Sequence, residues 1–402
     1  MRDAIEKGIC HSPAVKKAVA TATKSLHEIS EVRADRRPQL FLDSSAGAAF
    51  RDRSIDGLAT SNGDTLLSRE VRFSVRQILF DFGTTQMLGE SAELRNQFQN
   101  LLICDVKERQ ARLIAETYLE VYRYRLQSNA VRRHLGHLDV ILSDAKTLED
   151  VHGKEESVIL EGRLISTRGK LAEIVARLKG LDNRFKLLTT MESTGSMQLT
   201  KMPTSICDHV KFEESPRVRA ADLAIQVSQA NLAAARKDKL PKIYFEGRSG
   251  IGENVSGING SDDEWSALLT FRWSPYDGGR KNAVIAQNMA ELDKDAASKD
   301  DVLLSIKDTV GLAQAELNGA IERRAELVRA LRKMNEGISL YSEKIDGGGK
   351  GVNLLGLANA RREALTVELD SIDALVDSYV AAVRGLEAAG GLQCYLKISS
   401  ES

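Results

Sequence analysis

The chain has 402 residues, enough for one large domain or two to three ordinary ones, and its 56 basic and 57 acidic residues leave a formal charge of −1. That balance provides no global basic field for nucleic acid. Aromatics at 5% and only 6 prolines suit long uninterrupted helices, while Cys10, Cys104, Cys207 and Cys394 form no Cys-X-X-Cys pair, which excludes a zinc ribbon or redox motif and leaves buried or incidental free thiols.

No run reaches the ~18 apolar residues that a transmembrane helix needs. The opening "MRDAIEKGIC" reads as charged helix and not as a secretory signal. Alone, these points say soluble and cytoplasmic. They bear only on helical membrane proteins, because transmembrane β-strands are short, alternate and leave a weak trace.

The first predicted element is a helix over 2–36, closed by Pro38. A strand over 39–50 follows, then the polar loop "RDRSIDGLATSNGDT", then a strand over 68–80. In that second strand Val71, Phe73 and Val75 alternate with Arg72, Ser74 and Arg76, giving one apolar and one polar face. Such an apolar face meets a core in a soluble sheet and lipid in an outer-membrane barrel, and the pattern alone leaves both open.

Next comes Phe80-Asp81-Phe82-Gly83. Asp-Phe-Gly is the magnesium-binding tripeptide of protein kinases, but the glycine-rich loop, the Val-Ala-Ile-Lys-like strand and the His-Arg-Asp loop are missing. The alternative is a corner at which a strand becomes a helix: Asp81 starts the helix and Gly83 permits an unusual backbone geometry.

A helix over 84–149 is predicted, on the order of 100 Å long at ~1.5 Å per residue. Arg123, Arg125, Arg132 and Arg133 read as a solvated coiled-coil face. His134 and His137 sit at metal-ligand spacing, but no carboxylate or cysteine clearly converges on them, so an exposed pair is expected and no metal site. The glycine turn at Gly153 leads into a return helix over 155–189 whose charged start carries Lys154, Glu155, Glu156, Glu161 and Arg163.

The second half repeats this order: a helix over 216–239 closed by Pro241, strands over 242–250 and 264–274, a helix over 280–346 and a return helix over 353–389. Trp265, Ala267, Leu269, Phe271 and Trp273 form its apolar strand face. The long helix holds a strict 3-4 spacing from Leu303 through Ile306, Val310, Ala313, Leu317 and Ala320 to Leu327, Leu331, Met334, Ile338, Tyr341 and Ile345, interrupted only by Arg324. The run "IDGGGKGVN", with Gly349 and Lys350, fails as a phosphate loop because no strand precedes it and no Ser or Thr follows the lysine. It is read as a helix-hairpin turn.

Ser12-Pro13 reappears as Ser215-Pro216, Phe80-Asp81 as Tyr276-Asp277, and Gly153-Lys154 as Gly349-Lys350. The offset is 203 before the strands and 196 after them, which one length change between the strands explains. The chain therefore reads as two structural repeats, 1–203 and 204–402.

This duplicated plan, with "LFDFG" (79–83) and "PYDGGR" (275–280) at its corners, resembles the TolC family of outer-membrane efflux and secretion channels over about residues 1–390. The resemblance implies a mainly α fold with a small β part: four β-strands per chain in a trimeric 12-stranded β-barrel, continued by a long α-helical coiled-coil barrel. The edge argument agrees, since four strands cannot close a barrel that needs about eight. The implied function is a passive outer-membrane exit duct for type I protein secretion or multidrug efflux, with no catalytic residue and no cofactor.

The implied partners are two further copies in a homotrimer, a periplasmic adaptor (membrane fusion) protein, an inner-membrane ABC exporter or proton-driven transporter, and outer-membrane lipid. The implied location is the outer membrane of a Gram-negative bacterium with the helices in the periplasm. Phe80, Asp81, Gly83, Pro275, Tyr276, Asp277, Gly278 and Gly279 become barrel-to-tunnel corners, and Val71, Phe73, Val75, Trp265, Leu269, Phe271 and Trp273 become lipid-facing. The periplasmic tip or gate is expected at Gly153, Lys154, Glu155, Glu156, Glu161, Arg163, Gly349, Lys350, Gly356 and Asn359. The family's acidic ring after the second turn is replaced here by Gly356 and Asn359, so gate charge is expected on the first-half residues. The competing reading is a soluble α-helical coiled-coil scaffold without channel activity, which explains the seam but not the paired alternating strands.

Overall fold

The computed structural model describes residues 1–50, 54–55, 58–59, 65–147, 154–193, 197–209, 211–346 and 354–398. In chain order the main elements are α1 (Arg2–His11), α2 (Pro13–Ala34), β1 (Gln39–Ala49), β2 (Ser54–Ile55), β3 (Leu58–Ala59), β4 (Leu66–Phe80), α3 (Thr84–Thr147) and α4 (Lys154–Thr189). There follow α5 (Pro216–Lys237), β5 (Lys242–Glu253), β6 (Ser261–Arg272), α6 (Arg280–Asp346), α7 (Leu354–Ala388) and the short α8 (Leu392–Tyr395). The mainly helical fold with four principal strands is the expected one. Gly153, Gly349 and Lys350 lie outside the described residues.

Two expectations need correction. The first helix is not continuous over 2–36: Ser12 is extended (φ −62°, ψ 120°) and divides it. The cause is Pro13, which disfavours helical backbone in the residue before it. Ser215 before Pro216 is likewise extended (φ −56°, ψ 133°). The last strand stops at Arg272 rather than 274, ahead of Pro275, which lacks the N–H a ladder needs. Of the two expectations for the cysteines, buried or incidental free thiols, the second holds: all four are free and exposed.

The chain forms two compact units, each assembled from segments of both sequence halves: residues 1–18, 102–219 and 301–402 make unit 1, and residues 19–101 and 220–300 make unit 2. The long helices α3 and α6 run through both.

Unit 2 is a four-stranded antiparallel sheet in the order β1-β4-β5-β6, together with the helical segments attached to those strands. The helices keep the order of their strands. Asn96 of α3 donates to the Ala22 carbonyl and the Ser25 hydroxyl of α2, Ser91 of α3 bonds Asn231 of α5 at 2.7 Å, and Lys299 of α6 pairs with Asp222 of α5 at 2.7 Å. A strand and the helix it runs into thus occupy equivalent places in the two rows. Strands β1 and β6 are the sheet edges, each paired on one side only among the described residues.

Unit 1 is built on the coiled-coil seam. Of the residues with 3-4 spacing on α6, Ile306, Val310, Ala313, Leu317, Ala320 and Ile338 are buried, whereas Arg324 is exposed. Ile306, Val310, Ala313 and Leu317 pack with Ile5 and Ile9 of α1, Ile114 and Leu119 of α3, and Val383 and Leu386 of α7 in one cluster, and Ile338 with Leu138, Leu160 and Leu357 in another. Burying each such aliphatic side chain stabilises by about 1.5–3 kcal/mol, which is how a 3.5-residue repeat becomes a packed layer.

Of the arginines expected on a solvated face, Arg132 and Arg133 are exposed as expected, whereas Arg123 and Arg125 are half-buried, and three of the four join helices. Arg123 pairs with Asp373 (3.4 Å) and Asp377 (2.8 Å) of α7, Arg125 with Asp182 (3.5 Å) of α4, and Arg133 with Glu368 (2.5 Å) of α7. Their carboxylate partners lie on other helices, which spacing along α3 cannot reveal.

Candidate functional site

The sheet register sorts side chains by face. Val75 pairs with Leu40, Phe73 with Leu42, Phe245 with Leu269, and Ile243 with Phe271, so one face is a continuous apolar band. Val71, Phe73, Trp265, Leu269 and Phe271 are exposed on it, up to 82% for Trp265, and Val75 is half-buried. Trp273 follows the end of β6; its indole donates to the Lys239 carbonyl at 3.2 Å. The band is a large apolar surface that no described residue of the chain covers.

The opposite face is ionic. Arg72 reaches both Glu70 and Glu264, the latter at 3.2 Å. Arg76 and Arg272 share Glu246 at 3.3 and 3.7 Å, and the Arg272 guanidinium lies 5.1 Å from the ring centre of Tyr244.

Both strands that lead into long helices end at an Asp-X-Gly corner with one geometry. Phe82 and Gly83 have φ of 54° and 87°; Gly278 and Gly279 have 69° and 88°. Two successive left-handed residues turn the chain sharply, and glycine adopts that conformation without the steric cost Phe82 incurs. The aspartate caps the helix: Asp81 accepts from the Gly83 amide (3.0 Å) and the Thr85 amide (2.7 Å), and Asp277 accepts from the Lys281 amide (3.2 Å). Each corner is also tied to the incoming connection of its own half, by Arg36 to Asp81 (3.8 Å) and by Lys281 Nζ to the Asp238 carbonyl (2.6 Å).

Asp81 is 3% exposed. Burial raises its carboxyl pKa, but the bonds from Thr85 and Gly83 and the Arg36 charge outweigh that and hold it below its usual value. A carboxylate spent in this way on helix-start amides is not a metal ligand. Asp81→Ala is expected to cost about 1–2 kcal/mol. Because the folded pKa is depressed, the loss should be full above the unfolded value near 3.8 and should fade as pH drops through the folded one. Thermal unfolding of variant and parent at pH 7 and pH 3 measures this.

The expected tip residues fall at the starts of α4 and α7. Lys154, Glu155 and Glu161 are exposed, while Glu156, Arg163, Gly356 and Asn359 are half-buried. Glu156 Oε2 and Arg163 Nη1 are buried atoms without hydrogen-bond partners. Arg361 and Arg362 add positive charge on α7, and burial first, then the Arg362 charge, lowers the Arg163 pKa. The sequence reading missed those two arginines. It also misjudged His134, which is 6% exposed rather than on the surface, because α7 packs over that face of α3. Among the described residues no cluster of three or more His, Cys, Asp or Glu could hold a metal.

Residues 212–392 match the family described as outer membrane efflux protein. No curated protein matches the chain. Among solved structures, a membrane protein from Pseudomonas aeruginosa aligns at TM-score 0.83 and 18% identity, covering 97% of this chain and 90% of the other. VceC, an outer membrane protein from Vibrio cholerae, aligns at 0.81 and 15%, covering 96% and 95%. CusC, solved in relation to transmembrane channel formation, aligns at 0.81 and 16%, covering 96% and 91%. Residues 212–392 are thus similar by sequence to the outer membrane efflux protein family, and the chain has the fold of these structures. The resemblance read from the two corners is borne out, and the family is one of channels rather than enzymes.

Proposed function

We propose that the chain is one third of an outer-membrane efflux duct. Three copies pair β6 of one with β1 of the next, and the sheet closes into a twelve-stranded barrel with no edges. The single observation that carries this reading is the sheet itself, with two open edges, one exposed apolar face and one ionic face, which is the division of a barrel wall between lipid and water. The apolar band of Val71, Phe73, Val75, Trp265, Leu269 and Phe271 meets lipid, with Trp273 near an interface. The helices lie in the periplasm, and the starts of α4 and α7 form the tip that opens. The paired corners, alike in backbone and capping, support a duplicated half-molecule divided near residues 203 and 204.

The duct is passive. An inner-membrane pump, an ABC exporter or a proton-driven transporter, supplies the energy through a periplasmic adaptor. The family description favours efflux over type I secretion of a protein.

Protein purified in detergent should run as a heat-modifiable trimer and give ohmic conductance in a planar bilayer; a monomer that forms no pores would overturn the proposal. Phe73→Asp and Leu269→Asp put charge on the lipid face and should each weaken insertion by about 1–3 kcal/mol. Ser74→Asp, on the ionic face, should leave insertion intact. Extraction of the three variants from outer-membrane fractions separates the two faces.

A further inference from the structure

A cleft of about 250 Å³ lies between α3, α6 and α7 of unit 1. Its polar wall is Arg133, His134 and His137 from α3, Asn335 from α6, and Arg361 and Glu368 from α7. Two of these groups are unanswered. His134 is 6% exposed and its ring has no hydrogen-bond partner among the described residues. Arg361 is half-buried, has no ion-pair partner there, and its Nε is buried without an acceptor. Leaving a buried charged donor such as Arg361 Nε unmet costs more than the about 1–3 kcal/mol of a neutral one.

The surroundings decide which ligand would answer them. His134 faces His137 and Arg133 on its own helix, Lys170 on α4, Asn335 on α6, and Arg361 and Glu368 on α7. Among the described residues Glu368 is the one carboxylate on the wall, and it is committed to Arg133 at 2.5 Å. Burial first, and then the charges of His137, Arg361 and Lys170, push the His134 pKa down to about 4. The same charges repel a metal cation, although the His134–His137 spacing alone would suggest one.

We propose that this cleft binds a small tetrahedral oxyanion of the sulfate or phosphate class, held by the Arg361 guanidinium and the His134 ring. The fixed donor fork of arginine suits such an ion, and the anion's charge would stabilise an imidazolium beside it. Binding then takes up a proton and strengthens as pH falls.

Equilibrium dialysis of the full chain in detergent with radiolabelled sulfate, at constant ionic strength, tests this. Sulfate keeps one charge state over the range, so any pH dependence belongs to the protein. Saturable binding near one ion per chain is expected at pH 6, weaker at pH 8. Arg361→Gln and His134→Gln should each bind about tenfold more weakly. His134→Gln should also lose most of the pH dependence, and Arg132→Gln, outside the cleft, should match the parent. Arg361→Lys and His134→Asn serve if either first variant loses helicity. Absence of saturable binding by the parent, or binding by the Arg361 and His134 variants equal to it, overturns the proposal.

Discussion

Arg217→Ala should destabilise unit 1 by about 3 kcal/mol, the low end of what breaking a buried ion pair costs. Arg217 joins Asp105 of α3 at 2.5 Å to Glu387 of α7 at 2.6 Å. Glu387 is 3% exposed and keeps only Arg112, at 3.3 Å, once Arg217 is gone. A buried carboxylate left half-paired drives the cost, while the surviving Arg112 and the Arg109–Asp105 pair (2.6 Å) hold it to the lower bound. Arg217 is the second residue of α5, where the helix dipole disfavours a positive charge, so its place there follows from the tertiary pairs. Arg109→Ala removes only an i,i+4 pair from a half-exposed side chain and should cost under about 1 kcal/mol. Denaturant unfolding of the two variants beside the parent checks this; equal midpoints for Arg217→Ala and Arg109→Ala would refute it.

What could be read in advance was whatever the chain specifies locally. Strand alternation has a period of two and the α6 seam a period of 3.5, so Phe73, Leu269, Val310 and Leu317 announced their faces without knowledge of any partner. Ser-Pro and Asp-X-Gly are local as well, because proline and left-handed backbone restrict the chain residue by residue. The same steric rule was underused at Ser12, where Pro13 ends α1 although helical pattern continues on both sides.

The buried polar groups were hidden for the opposite reason. Arg217 is 112 residues from Asp105 and 170 from Glu387, and nothing along the chain links them. Arg123 looked solvated because its partners lie on α7, and His134 looked exposed because the packing of α7 onto α3 covers it. Periodicity says that a face is buried; it does not say against which charges.

The same interior should make stability depend on pH with a sign opposite to that of an ordinary surface carboxylate. Glu108 of α3 is 5% exposed; it accepts from the Gln393 amide at 3.2 Å, and its Oε2 has no hydrogen-bond partner. Burial, above all, and the nearby charge of Glu387 push its carboxyl pKa up to about 7 from its ordinary 4.5, and the bonds from Gln393 and Leu392 only partly oppose this. The folded state therefore holds a proton that the unfolded chain releases between about pH 4.5 and 7. Stability from this group is fully present below the unfolded value and is lost as pH rises through the folded one. The shift corresponds to about 3 kcal/mol, spread over that window and constant above it. Glu108→Gln removes the titration while keeping the size of the side chain. The variant should match the parent near pH 4 and be the more stable of the two at pH 8, with the gap opening between those limits. Thermal midpoints of both proteins across this range measure it, and a gap that stays constant with pH, or one that favours the parent at pH 8, would show that Glu108 is ionised in the fold.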